Sequence, residues 1–177
     1  MDEVRIAALM GFIALAGLVV YVILRSRTAG RESRESRAFA DGVAAVSARV
    51  LGSLEGALAV LDDLRRHRMD AVVALPAIDA ALATIDGYVA DVQALPVLPL
   101  SQVARADLEA DLRRAERALD RTRHGCRILA SGSGRGHDLE GQASVKRGYL
   151  ELQHARDAFA RHAADAARAV PSTVRKG

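Results

Sequence analysis

Tryptophan is missing from this sequence, lysine occurs twice (Lys146 and Lys176) and cysteine once. The single cysteine, Cys126, excludes an intramolecular disulfide and a cysteine zinc cluster, and it fits a reducing compartment. Phe and Tyr supply only 3% of the residues although half of the chain is apolar, much of it alanine. A core so poor in large side chains suits helices packed closely side by side, not a sandwich or a barrel. Valine, isoleucine and threonine rarely alternate with polar residues, so no strand is expected. A phosphate-binding loop is also missing. SGSGRG at 131–136 has the glycines but no lysine after it and no strand before it, and it reads as a flexible connector.

The chain does carry an uncharged run, Ile6 to Leu24. As a helix it spans roughly 28 Å, close to the ~30 Å hydrocarbon core of a bilayer. Tyr21 near its end suits an interfacial position. A cleaved signal peptide would start with a positive flank, but the chain opens MDEVR and the arginines come after the run. Only Arg5 precedes it, whereas Arg25, Arg27, Arg31, Arg34 and Arg37 lie beyond it. The positive flank stays in the cytoplasm. The expectation is a single-pass protein of a bacterial inner membrane, its N-terminus outside and its soluble part cytoplasmic. The parts are a tail and span at 1–24, a charged connector at 25–38, a helical bundle at 39–170 and a tail at 171–177. The arginines of the connector can meet anionic headgroups.

The bundle is read from four apolar stripes of helical period. Phe39, Val43, Val46, Val50, Leu54, Leu58 and Leu61 form the first, and Leu75, Ile78, Leu82, Ile85, Val89 and Val92 the second. Pro76 belongs either in the first turn of a separate second helix or at a kink joining the first two. LPVLP at 95–99 ends the second helix. Ser101 can cap the third, whose seam runs Leu108, Leu112, Ala115, Leu119, Thr122, Cys126 and Leu129 with heptad-like spacing. The fourth carries Val145, Tyr149, Leu152, Phe159, Ala163, Ala166 and Val170, with Asp138 or Ser144 as its cap and Pro171 at its end. Short links favour antiparallel neighbours. The fold class is all-α: a single N-terminal transmembrane helix followed by an antiparallel, coiled-coil-like four-helix bundle.

Candidate sites are few. Glu151 and His154 have the Glu-x-x-His spacing of di-iron bundles, but with Leu152 facing inward they lie roughly 100° and 160° from the core. A second such motif is lacking. His154, Asp157 and Asp165 fall on the outward half, so a solvated face is expected and no metal or other cofactor. Cys126 lies on the third seam and behaves as a small hydrophobe, although His124 and nearby arginines would activate an exposed thiol. The third helix is rich in arginine, and Arg114, Arg117 and Arg121 make one outward stripe able to hold an anion. Residues 69–104 carry only aspartates as charges. Folding the second helix back on the third brings Asp79 towards Arg113 and Arg117, and Asp70 towards Arg123 and Arg127. Nucleic acid is not the expected partner, since recognition usually wants aromatics or a larger charge excess than +3.

Small residues suggest self-association. Ala7, Gly11 and Ala14 form a face of the kind that lets lipid-embedded helices approach. Gly52 and Gly56 share the outer side of the first soluble helix. The expected function is therefore non-enzymatic: a membrane-anchored helical scaffold or adaptor. It is expected to form homo-oligomers, to contact lipid through its N-terminal helix and to recruit a protein partner. The alternatives are an anion-binding module using the arginine stripe, for lipid headgroups, nucleic acid or acidic protein, and an envelope-facing sensor or lysis-related coiled coil.

Overall fold

The computed structural model describes residues 2–96, 101–132 and 135–168, with side chains described from Arg34 onward except at Arg135. The described chain is helical apart from short turns, in four elements: α1 (Asp2–Arg65), α2 (Ala71–Gln93), α3 (Ser101–Ala130) and α4 (Arg135–Arg168). No strand occurs among the described residues.

The 64 residues of α1 run without interruption through the apolar run, the charged connector and the first bundle stripe. At 1.5 Å per residue it is about 96 Å long. The connector at 25–38 is thus helix, continuous with the segments on both sides of it. The side chains of Ile6–Leu24, including Ala7, Gly11 and Ala14, lie outside the described residues. Among the described stretches, Arg34–Arg65 and Ala71–Gln93 are long and apolar enough to cross a membrane by length and composition.

Helix α1 stops at a left-handed residue. His67 has φ 56°. Its N–H donates to the Leu64 carbonyl at 3.1 Å, and the N–H of Arg68 reaches back to that of Asp63 at 2.8 Å. This pair of bonds closes off a helix whose last carbonyls would otherwise lack partners. The first two helices are therefore separate, and Pro76 sits in the second turn of α2, inside the helix. Asp70 takes the cap position of α2 with extended backbone but makes no side-chain cap bond. Gly132 follows α3 in the same left-handed region, at φ 62°. Helix α4 begins earlier than its expected caps: Arg135 and Gly136 are already helical, Asp138 lies in the first turn and Ser144 in the interior. An acid in the first turn complements the helix dipole.

Each stripe supplies the core. Phe39, Val43, Val50, Leu54 and Leu61 of α1 share it with Ile78, Ile85, Val89 and Val92 of α2, Leu108, Leu112, Leu119 and Cys126 of α3, and Leu152 and Phe159 of α4. Leu58, Leu75, Leu82, Leu129 and Tyr149 are only partly buried, while Leu64, Ala74 and Leu95 join the interior. Val170 lies outside the described residues. Each helix packs on its chain neighbours, and α1 also packs on α4; the α3–α4 interface is the most extensive. Ion pairs mark these contacts: Arg49–Asp91 between α1 and α2 at 3.1 Å, Arg113–Asp86 between α2 and α3 at 3.0 Å, and Arg156–Glu55 between α4 and α1 at 3.6 Å. The packing is compatible with an antiparallel bundle.

The α2–α3 register departs from expectation. Asp79 pairs with Arg123 at 3.6 Å, not with Arg113 or Arg117, and Asp86 takes Arg113. Charge alone allowed either register, since α2 carries three aspartates, Asp79, Asp86 and Asp91, and α3 several arginines. The apolar seams decide it.

Candidate functional site

The arginine stripe of α3 is outward, as its spacing requires, but two of its three members are engaged. Arg114 donates Nη1–H to Asp111 Oδ1 at 2.8 Å. Arg121 bridges to Glu151 on α4. Arg117 is exposed and makes no ion pair among the described residues. Beside the stripe, Arg113 is held by Glu116 at 2.9 Å and Asp86 at 3.0 Å, and these hydrogen bonds raise its guanidinium above the ordinary value. The stripe's arginines thus answer carboxylates of the bundle itself, with Arg117 the exception among the described residues.

A polar cluster that spacing did not single out lies behind it. Asp111 has a fully buried side chain, and His162 Nδ1 on α4 stands 2.6 Å from its Oδ2. With Arg114 on Oδ1, both carboxylate oxygens are occupied. Burying an unpaired carboxylate is prohibitive, so this pairing is what lets an acid enter the α3–α4 interface. The signal was present in the sequence: Asp111 falls three residues after Leu108 and four before Ala115, on the buried face. His162 remains 38% exposed on its side chain. The arrangement orients an imidazole, but among the described residues no group of three metal-ligating side chains forms around it.

Glycines let α3 and α4 approach closely just beyond that cluster. A Cβ on Gly148 would stand 2.1 Å from Thr122 Oγ1 and 2.8 Å from the Ala118 carbonyl oxygen. Gly125 and Gly141 face each other's backbone, at 2.8 and 3.0 Å from such a Cβ. The Thr122 hydroxyl donates to the Ala118 carbonyl at 2.9 Å, so this hydroxyl is not stranded in the dry contact.

Gly52 and Gly56 behave oppositely. Both are exposed, and a Cβ at either would meet nothing within 4 Å among the described residues. Cys126 is fully buried, and burial pushes its thiol up to about 11. A neutral thiol is a poor nucleophile, so the nearby cations do not activate it. His124 and His154 are exposed, and Glu151 turns to Arg121 rather than towards His154. Asp157 meets Arg156 at 3.0 Å and Asp165 meets Arg168 at 3.0 Å.

No known family, curated protein or solved structure matches the chain.

Proposed function

We propose that this chain is a non-enzymatic adaptor: an antiparallel four-helix bundle standing on one N-terminal membrane span, facing the cytoplasm of a bacterial cell, and recruiting or organising a protein partner there. The observation that supports this reading is the unbroken course of α1. One helix carries the apolar run, the arginine-rich segment and a wall of the bundle. A flexible tether would only raise the local concentration of the domain. A rigid stalk holds a surface at a fixed height and orientation, which is what an organising role needs.

On this reading Arg34–Arg65 and Ala71–Gln93 belong to the bundle rather than to lipid. Their apolar stripes share one core with α3 and α4. Arg49 and Asp91 pair across them at positions a lipid-facing helix could not carry cheaply. The anion-binding alternative has less support, because Arg114 and Arg121 already have carboxylate partners. The adaptor is further proposed to form homo-oligomers through the exposed Gly52 and Gly56 side. Crosslinking in native membranes tests this, with Gly52→Leu and Gly56→Leu together expected to abolish the dimer band.

The decisive test of the adaptor reading is topology. A reporter active only in the cytoplasm, fused after Gly177, should be active in intact cells. Activity instead from a reporter that works only outside would replace this reading with the envelope-facing one.

A further inference from the structure

The end of the bundle reached by the last turn of α1 holds a cavity of about 340 Å³. Its walls come from three places far apart in sequence: the α1–α2 turn, the last turn of α3 and the second and third turns of α4. Leu64, Met69, Leu129 and Val145 supply apolar lining, and Arg65, His67 and Lys146 bring three basic side chains to the same space, with Asp70 and Gln142 beside them. Polar and apolar surface line this concave site in about equal measure, and its volume lies at the lower end of the range for small-ligand sites.

The basic groups are not equivalent. Arg65 is fixed: it bonds Asp62 Oδ1 at 2.9 Å, and its guanidinium lies 4.9 Å from the ring centroid of Tyr149. Its charge is answered only in part, because Asp62 is shared with Arg66 at 2.8 Å and Arg68 at 3.3 Å. Lys146 is exposed and forms no ion pair among the described residues. His67 is held in left-handed backbone, where glycine would be cheaper. That backbone closes α1 and so fixes where the imidazole is carried. Asp70 offsets part of the positive field, which disfavours a dianion such as phosphate. One unanswered ammonium, a hydrogen-bonding imidazole and an aliphatic floor suit a monoanion with an apolar body. Val72 and Val73, in the first turn of α2, and Leu139, one turn before Gln142, are exposed at this same end at 63%, 62% and 70%. They extend the apolar surface outward.

We infer that this cavity binds a carboxylate carrying an aliphatic group, its carboxylate held by Lys146 and His67 and its aliphatic body against Met69 and Leu129. Two sources share that chemistry: a free aliphatic acid and the C-terminus of a polypeptide ending in an aliphatic residue. The site is confined to the tip of the bundle, and its chemistry is the same whether or not the bundle is cytoplasmic.

The test uses the full chain in nanodiscs of neutral phosphatidylcholine. N-acetyl-leucine is titrated by calorimetry, and hydrogen exchange is followed in peptides covering 64–71 and 142–149. Saturable binding with slowed exchange in both segments is expected. N-acetyl-leucine amide, which keeps the body and loses the charge, should fail to bind. Lys146→Gln should weaken binding about tenfold or more, as loss of a charge-assisted hydrogen bond does, while Lys146→Arg retains it. Lys146 is an exposed helix position, so both variants should fold, and circular dichroism checks that they do. A pentapeptide ending in leucine distinguishes the sources: tighter binding than N-acetyl-leucine identifies a chain terminus, weaker binding a free acid. No saturable heat with either carboxylate, equal binding of the amide, or unchanged affinity in Lys146→Gln would overturn the proposal.

Discussion

Glycine has opposite meanings at two positions of this molecule, and the difference is measurable at a single carbon. Adding a methyl at Gly148 drives it into the Thr122 hydroxyl and the Ala118 carbonyl. The hydroxyl can rotate, but the backbone oxygen cannot, so Gly148→Ala should destabilise the fold by about 1–3 kcal/mol, the usual range for overpacking. At Gly52 the same methyl meets nothing. There Gly52→Ala should stabilise by up to about 1 kcal/mol through helix propensity alone. Urea unfolding of both variants checks the pair, and a loss of stability in both would mean that Gly52 packs against something in the assembled protein. Cys126 is a second residue-scale case. Its folded thiol titrates near 11, above the ~8.5 of an unfolded cysteine. Below about pH 8 both states hold the proton, and the thiol adds no pH dependence. Between about pH 8.5 and 11 only the unfolded chain ionises, so stability should fall as pH rises through that window. Cys126→Ala should remove this increment of alkaline sensitivity. Native protein at about pH 8 should also resist alkylation by iodoacetamide until urea unfolds it.

At the scale of the helices, the apolar stripes were legible because a 3.6-residue period repeats over many turns. Val43, Val50, Leu54 and Leu61 are buried as that period requires, and so are Ile85, Leu112 and Leu119. Leu75 and Leu82 stay half-buried because Ala74, Ile78 and Ile85 take the centre of the α2 face. The end of α1 was hidden because His67 occupies a position that glycine usually marks. The register of α2 on α3 was hidden because several aspartates on α2 face several arginines on α3, which gives no unique match. Of the arginine site, outward placement was legible, and so in principle was the Asp111–Arg114 pair, three residues apart on α3; the Glu151 partner of Arg121 was not, since a residue on another helix leaves no mark in local sequence. The Asp111–His162 contact can be weighed directly. His162→Ala strips Oδ2 of a buried carboxylate, and should cost about 1–3 kcal/mol. Arg117→Ala removes an exposed cation that makes no ion pair among the described residues, and should change stability by no more than about 0.5 kcal/mol. Asp111→Ala combined with His162→Ala should lose less than the two single changes added together, because each single variant already breaks the contact. Strict additivity in chemical denaturation would show that the two side chains do not act as a pair.

For the whole molecule, the consequence of a continuous α1 is mechanical. If residues 25–38 were coil, the packed helices would sample many distances and tilts relative to the N-terminal apolar run. As helix, they fix both, and the basic cavity at the far end is carried at a defined distance from the N-terminal run. The sequence leaves this open: RSRTAGRESRESR contains Gly30 and alternating charges, which suit a linker as well as a solvated helix. One opposite pair, Arg31 and Glu35, stands four apart and supports the helix by a few tenths of a kcal/mol, while Arg31, Arg34 and Arg37 follow one another at three apart and repel by similar amounts. Spin labels on Arg27→Cys and Gly56→Cys, in a Cys126→Ala background, measure the result. The two sites are separated by about 29 positions of one helix, so their backbones should stand about 44 Å apart. Double electron–electron resonance in nanodiscs should give one narrow distribution near that value. Adding Ser33→Pro, which removes a hydrogen bond and crowds the preceding turn, should shorten and broaden it while leaving the bundle's unfolding unchanged. A distribution already broad before the proline is introduced would reduce the stalk to a tether, and with it the reason for reading this protein as an organiser of position rather than a means of raising local concentration.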